Sequence, residues 1–208
     1  MPPKTRFDLA LDQLLAAPRP EAVARAQTAL RRRLQAEQPP AVWYDLVPDT
    51  PVGPLWVAVS EAGLAAIHYG ADARAWLAAL RRRGFGAARR SAEKTARWRA
   101  DVAAYLLGRK RSLPARVDWR GVTNFQRRVL EAAAHIPRGH VQTYQGLARE
   151  LGRPQAARAV GQALRRNPVP IVLPCHRVVA ADGDLRGYLG QHGVQTKAWL
   201  LHLEGARL

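Results

Sequence analysis

The chain has a single cysteine, Cys175, in the stretch NPVPIVLPCHRVV at residues 167–179, with Pro174 before it and His176 and Arg177 after it. A thiolate is a good nucleophile, and cationic or basic neighbours raise the thiolate fraction of a thiol whose ordinary pKa is about 8.5. Neighbouring side chains on an extended segment point apart, so His176 would reach the thiol through a water. A base of this kind needs a third group to orient it, and the C-terminal AWLLHLEG offers Glu204. The competing reading is a small buried hydrophobe, the usual role of a lone cysteine. The His-Arg pair and the preceding proline favour the nucleophile. Residue types alone name no substrate.

The elements that must position this thiol are legible nearby. TNFQ at residues 123–126 reads as a capping box, with Thr123 as N-cap and Gln126 three residues on. Phe125, Val129, Ala132, Ala133 and Ile136 then supply a buried helical face. GHVQTY is a short strand or turn, and TYQGLAREL is a short helix closed by Gly152. Pro154 is expected to open PQAARAVGQALRR at its first helical position. Two helices joined by a short glycine-containing turn match a helix-turn-helix. The second helix is rich in small residues, among them Ala157 and Gly161, around Arg158. That pattern serves either tight helix–helix packing or close approach to a DNA groove.

Upstream, AVWYDLV, LWVAVS and LAAIHY read as strands, with turns at PDTPVGP and EAG. In LWVAVS, Val57 and Val59 alternate with Ala58 and Ser60 as in a half-buried strand, and Trp43, Trp56 and Tyr69 read as core. DARAWLAALRRRG and SAEKTARWRADVAAYLLG read as helices stopped by Gly84 and Gly108. Residues 1–40 read as helical, with Leu9, Leu11, Leu14 and Leu15 in one segment and a second helix opened by Pro20. The expected fold is mixed α/β (α+β). A helical extension of unknown role (1–40) precedes a small sheet-and-helix domain (41–120), then a mainly helical domain with the helix-turn-helix and the thiol (121–208).

The chain carries 33 Lys and Arg against 16 Asp and Glu, a net charge of +17 over 208 residues. Such a surface is drawn to polyanions, although a GC-rich genome, which favours Arg and Ala, also yields many merely basic proteins. The charge is spread: residues 1–120 hold 21 basic and 11 acidic side chains, residues 121–208 hold 12 and 5. No apolar run is long enough to span a membrane, and the first twenty residues do not read as a secretory signal. One cysteine makes no internal disulfide, which fits a reducing, cytoplasmic setting. His68, His135, His140, His192 and His202 show no metal-ligand spacing, so neither a metal nor a cofactor is expected.

PCHRV, with TNFQRRVLEAAAHIPRGHVQTYQGLARELGRPQAARAVGQALRRNPVPIVL before it and KAWLLHLEG after it, closely resembles the O6-alkylguanine-DNA alkyltransferases. The hairpin TPVGPLWVAVSEAGLAAIHYG resembles the family's N-terminal domain less specifically. The resemblance implies a single-turnover DNA repair protein. It would bind duplex DNA through the minor groove, flip out O6-alkylguanine and take the alkyl group irreversibly onto its own cysteine. It makes Cys175 the acceptor, His176 the base acting through a water, and Glu204 the group that orients His176. Asn167 would hold the cysteine segment, and Tyr144 would lie on the flipped base and supply a proton to the leaving guanine. Arg158 would fill the gap in the base stack, while Ala157 and Gly161 let its helix approach. Leu164, the Val178 backbone and Tyr188 would line the base pocket. Arg177 is expected to tie the motif to acidic or carbonyl groups. The partner is damaged double-stranded DNA, with no membrane, and the protein is expected to be a monomer.

The chain departs from the family pattern in GYLGQHGVQT, which is longer than expected, so residues Leu189 to Gln195 are read as a loop. It is either a flap over the base pocket or a plain surface loop. Two other classes compete: a non-enzymatic protein that recognises alkylguanine, and a transcriptional regulator. The first would lack the cysteine. The second would carry polar base readers where this helix carries alanine.

Overall fold

The computed structural model describes residues 20–37, 41–185 and 193–206. The chain divides into two compact units, Met1–Pro39 and Pro40–Leu208. In the first, helix α1 spans Pro20–Glu37. It begins on Pro20 as expected, since the fixed φ of proline suits the first helical position. The segment of Leu9 to Leu15 lies outside the described residues.

In the second unit, strands β1 (Val42–Val47), β2 (Leu55–Ser60) and β3 (Gly63–Tyr69) form an antiparallel meander. Helix α2 (Arg74–Arg82) then returns the chain to a short strand β4 (Ala88–Arg90), which pairs parallel with β1. The sheet order is β3-β2-β1-β4. Helix α3 (Ala92–Leu106) follows, capped by the Ser91 hydroxyl, which accepts from the Lys94 amide.

The expected alternation in β2 is present, but the strand is buried along its whole length. Both faces of the sheet are covered. Val57 and Val59 pack with Val102, Tyr105 and Leu106 of α3. Trp56 and Ala58 pack with Trp76 and Leu80 of α2. A strand covered on both faces cannot be half-buried. Trp56 is core, as expected; Trp43 and Tyr69 are partly buried at its edge.

The core beneath α3 continues without a break into the C-terminal residues, taking in Val129, Leu147, Val160, Leu173 and Leu200. Helix α4 (Asn124–Ala134) begins there, with the Thr123 hydroxyl accepting from the Gln126 amide. Half of the expected capping box is therefore present. The Gln126 side chain does not close it. Its amide donates instead to the Arg166 carbonyl at 2.7 Å, tying the start of α4 to the end of a later helix.

Strand β5 (Gln142–Thr143) leads into helix α5 (Tyr144–Glu150), capped by the Thr143 hydroxyl accepting from the Gly146 amide. Gly152 closes the helix at φ 69°, a left-handed conformation that glycine adopts without strain. Helix α6 spans only Ala157–Arg165, so Pro154 does not open it. Pro154 and Gln155 lie in the preceding turn, where the Ala156 amide donates to the Arg153 carbonyl at 2.8 Å. Helices α5 and α6 are the expected helix-turn-helix pair. A 3₁₀ turn at Cys175–Arg177 runs into strand β6 (Val178–Val179), which pairs parallel with β5, and helix α7 spans Gly193–Glu204. Gly193, Val194 and Gln195, expected as loop, thus form the first turn of α7, whereas Leu189 to His192 and Tyr188 lie outside the described residues. No described helix is long and apolar enough to cross a membrane.

Candidate active site

The apolar run before the thiol is a non-helical segment wound around one side chain. Asn167 is 6% exposed. Its amide nitrogen donates to the Leu173 carbonyl at 2.7 Å and to Cys175 Sγ at 3.1 Å, and its Oδ1 accepts from the Val169 amide at 2.9 Å. One side chain thus replaces the regular backbone pairing that this segment lacks. Inside it, Ile171 sits at φ 74°, the one non-glycine residue with positive φ among those described. From the sheet edge, the Ile67 amide donates to the Pro168 carbonyl at 2.9 Å.

Glu204, at the end of α7, is the hub of the site. His176 is fully buried, and its Nε2 lies 2.7 Å from Glu204 Oε1. Arg177 donates from Nε to Glu204 Oε2 at 2.8 Å, from Nη2 to Oε1 at 3.1 Å, and from Nη1 to the Ile136 carbonyl at 2.6 Å. The expectation that Arg177 ties the motif to an acid and a carbonyl is met by Glu204 and Ile136. The Tyr105 hydroxyl, from α3, donates to Glu204 Oε1 as well.

The electrostatics follow from these contacts. Burial alone would raise the Glu204 pKa; hydrogen bonds from His176, Arg177 and Tyr105 overcome it and hold the carboxyl well below the usual range. Glu204 is therefore an anion that accepts a hydrogen bond from the His176 Nε2–H. Burial lowers the pKa of His176 despite that carboxylate, so the ring is neutral near pH 7. A neutral ring with its proton on Nε2 keeps a lone pair on Nδ1, the requirement for a base. Burial also pushes the Cys175 thiol up to about 11, against the Asn167 hydrogen bond and the charge of Lys197. At rest Cys175 is thus a protonated thiol.

The sequence assigns no site role to Lys197, and places Tyr105 only on one face of its helix with Trp98, Val102 and Leu106. Lys197 is 1% exposed on α7. Its Nζ donates to the Val178 carbonyl at 2.6 Å and lies 5.8 Å from the centre of the Tyr144 ring. Burial lowers its pKa to about 8, with Cys175 and Asp184 opposing. A usable signal existed: Lys197 shares the i, i+3, i+4, i+7 face with Leu200, Leu201 and Glu204. A lysine on a buried face needs a partner. For Tyr105 the signal was a hydroxyl on the apolar face of α3, which also needs one.

The remaining residues occupy the helix-turn-helix. Tyr144, at the first position of α5, is partly buried; burial and then Cys175 raise its pKa, so the hydroxyl keeps its proton. Arg158 is exposed near the start of α6, while Ala157 is partly buried. A Cβ on Gly161 would meet the Tyr144 ring at 3.8 Å, so this glycine faces Tyr144. Leu164 and Val178 are buried in the core that also contains Cys175. The structure therefore gathers Cys175, His176, Glu204 and Asn167 into one bonded cluster beside Tyr144 and Lys197. Arg158 stands outside it. Among the described residues no group of His, Cys, Asp or Glu could hold a metal ion.

Comparison with known proteins bears on this arrangement. The family model for the DNA-binding domain of 6-O-methylguanine DNA methyltransferase matches residues 124–206. The methylated-DNA–protein-cysteine methyltransferase of Salmonella typhimurium is 43% identical over 159 residues, covering 75% of this chain and 92% of that protein. That of Methanosarcina barkeri is 36% identical over 164 residues, covering 78% and 97%. Among solved structures, Mycobacterium tuberculosis O6-methylguanine methyltransferase superposes with a TM-score of 0.63 at 34% identity, covering 80% of this chain and 94% of that one. The Mycobacterium tuberculosis protein in complex with DNA gives 0.63 at 32% identity, covering 79% and 92%.

Proposed function

The chain belongs to the methylated-DNA–protein-cysteine methyltransferase family, and on that premise we propose how its own residues carry out the repair. The protein binds duplex DNA containing O6-alkylguanine, takes the damaged base out of the stack and moves the alkyl group to Cys175. The observation that carries this reading is the cluster itself: a buried thiol hydrogen-bonded to Asn167, followed by a neutral histidine whose tautomer is fixed by Glu204.

The steps balance within these residues. His176 Nδ1 accepts the Cys175 proton through a water. The sulfur forms a bond to the alkyl carbon while that carbon's bond to guanine O6 breaks. The Tyr144 hydroxyl, kept protonated by burial, supplies a proton to the departing guanine. Asn167 and Lys197 stabilise the charge that develops on sulfur, in a site where water is excluded and such contacts are strong. No metal or cofactor enters, because the thiol is itself the acceptor. The product is a thioether that no residue here hydrolyses, so each molecule acts once.

On the DNA side, Arg158 projects from α6 and fills the space left by the flipped base, with Ala157 permitting a minor-groove approach. Gly161, which faces the Tyr144 ring, keeps the helix surface low for that approach, and Leu164 and Val178 border the base pocket. One chain holds every residue invoked, so a monomer suffices. The expected outcome of mixing the protein with alkyl-labelled duplex is label bound to protein at a plateau near one per chain, and no label on Cys175→Ser. Sustained turnover, or a labelled Cys175→Ser protein, would overturn the reading.

A further inference from the structure

A cavity of about 460 Å³ borders the site at Asn167 without reaching Cys175, His176 or Tyr144. That size lies within the range of small-molecule sites, about 300–1,000 Å³. Asn167 and Pro168 form one edge of it, and β3 and α2 form its floor. The apolar part of the wall includes Ile67, Trp76, Leu80 and Val122. His68 also lines it, with its ring held parallel to the Trp76 indole at 5.7 Å and 11°. Burial lowers the His68 pKa against the influence of Asp72, so near neutral pH the imidazole is an uncharged flat surface. Together His68 and Trp76 give the lining two near-parallel aromatic rings.

The charge of the lining is all of one sign. Arg83, Arg165 and Arg166 contribute, and no Asp or Glu is among the described residues that line the cavity. Arg83 is anchored by the Ala65, Arg120 and Asp118 carbonyls, at 2.8, 3.1 and 3.3 Å. Arg165 and Arg166 are exposed at the end of α6. An apolar wall with a flat aromatic surface and several cations, with no anion among them, fits a ligand that is planar at one end and anionic at the other. Guanidinium groups match phosphate geometry in particular.

We propose that this cleft binds a small planar phosphate: an aromatic or heteroaromatic ring of nucleoside monophosphate size, its ring against His68 and its phosphate toward Arg165 and Arg166. Asn167 is the one alkyl-transfer residue that lines the cleft, and binding there needs none of Cys175, His176, Tyr144, Lys197 or Glu204. The cleft goes beyond the repair reaction and does not depend on it.

The test is titration of the full, ¹⁵N-labelled chain with adenosine 5′-monophosphate, with adenosine and inorganic phosphate as separate arms. Saturable amide shifts are expected at Ile67, His68, Trp76 and Leu80, with adenosine and phosphate each binding about tenfold more weakly or worse. Ala79→Trp, which fills the cleft from α2, should weaken adenosine monophosphate about tenfold while leaving alkyl transfer intact. Arg166→Glu should weaken the monophosphate but not adenosine. Three results would overturn the proposal. The first is no saturable shift up to about 5 mM, the range of a weak site. The second is phosphate binding as well as the nucleotide with shifts confined to Arg165 and Arg166, as a plain DNA-backbone contact would give. The third is shifts centred on Tyr144 and Cys175, which would place the ligand in the alkyl-transfer site.

Discussion

The turn that holds Cys175 and the helix that carries Arg158 are neighbours in sequence and opposites in construction. His176, Glu204 and Asn167 are each under about a tenth exposed, and Glu204 alone takes hydrogen bonds from three side chains. Helix α6 is nine residues long, has no side-chain cap at its start, and leaves Arg158 in solvent. The difference separates two kinds of preparation. The chemistry relies on a geometry complete before DNA arrives, because a buried charge network is strong only when fully paired. In the proposed reading, recognition leaves Arg158 exposed because its partner is the DNA.

Breaking the prepared region should have the largest effect. Glu204→Gln removes the anion that fixes the His176 tautomer and leaves Arg177 without its counter-charge. Loss of one partner of a buried pair typically destabilises by about 3–5 kcal/mol. For a domain of this size that is a fall in Tm of about 10 °C. The rate of alkyl transfer should fall by about 10²–10³, the scale on which a wrongly oriented base acts. Stopped assays with labelled duplex, together with calorimetry, would decide it. A variant with wild-type rate would remove Glu204 from the mechanism.

Breaking the uncommitted region should act more narrowly. Arg158→Ala should slow repair in duplex by about 10- to 100-fold, the order of one unstacking contribution. Reaction with the free modified base should stay within about twofold, since no stack exists there to fill. Equal losses on both substrates would show that Arg158 supports the fold instead.

The smallest effect sharpens the picture of the prepared region. Folding raises the Cys175 pKa to about 11, so its contribution to stability is present below about pH 9 and is lost as the pH rises toward 11. Folding lowers the Lys197 pKa from 10.5 to about 8, so its contribution is present above about 10.5 and is lost as the pH falls toward 8. The two slopes oppose between about pH 9 and 10.5, and these two contributions nearly cancel there. Cys175→Ser should become more stable as the pH rises through that window, and Lys197→Met less stable, each by at most about 1.4 kcal/mol per pH unit. Denaturant midpoints at three pH values would test this; parallel curves for all three proteins would show that the groups do not oppose one another.

What the sequence made legible was local. PCHRV, the Thr123 cap and the alternation of Val57 and Val59 are fixed by neighbours within a few residues, and each stands where it was expected. What escaped depends on distant partners. The double burial of β2 needs α2 folded back over it, and β4 is three residues long. Gln126 had a local partner available but bonds forty residues away, because the end of α6 presents an unpaired carbonyl there. Pro154 fits a helix start by rule, yet the turn before α6 takes it instead. Tyr105 lies 99 residues from Glu204, and no spacing rule reaches that far.

Ile171 shows how narrow the choice of side chain can be beside such a site. A β-branched residue at φ 74° carries about 1–2 kcal/mol of left-handed strain, which glycine would relieve. But the side chain is 2% exposed, and burying an isoleucine contributes about 1.5–3 kcal/mol. Glycine would forfeit that burial and also give the unfolded chain more freedom, so relief of strain does not make it the better residue. Alanine or serine would keep the strain and lose most of the packing. Small side chains are therefore not neutral at this position. A backbone angle and a buried contact together narrow the choice, in a residue with no chemistry of its own.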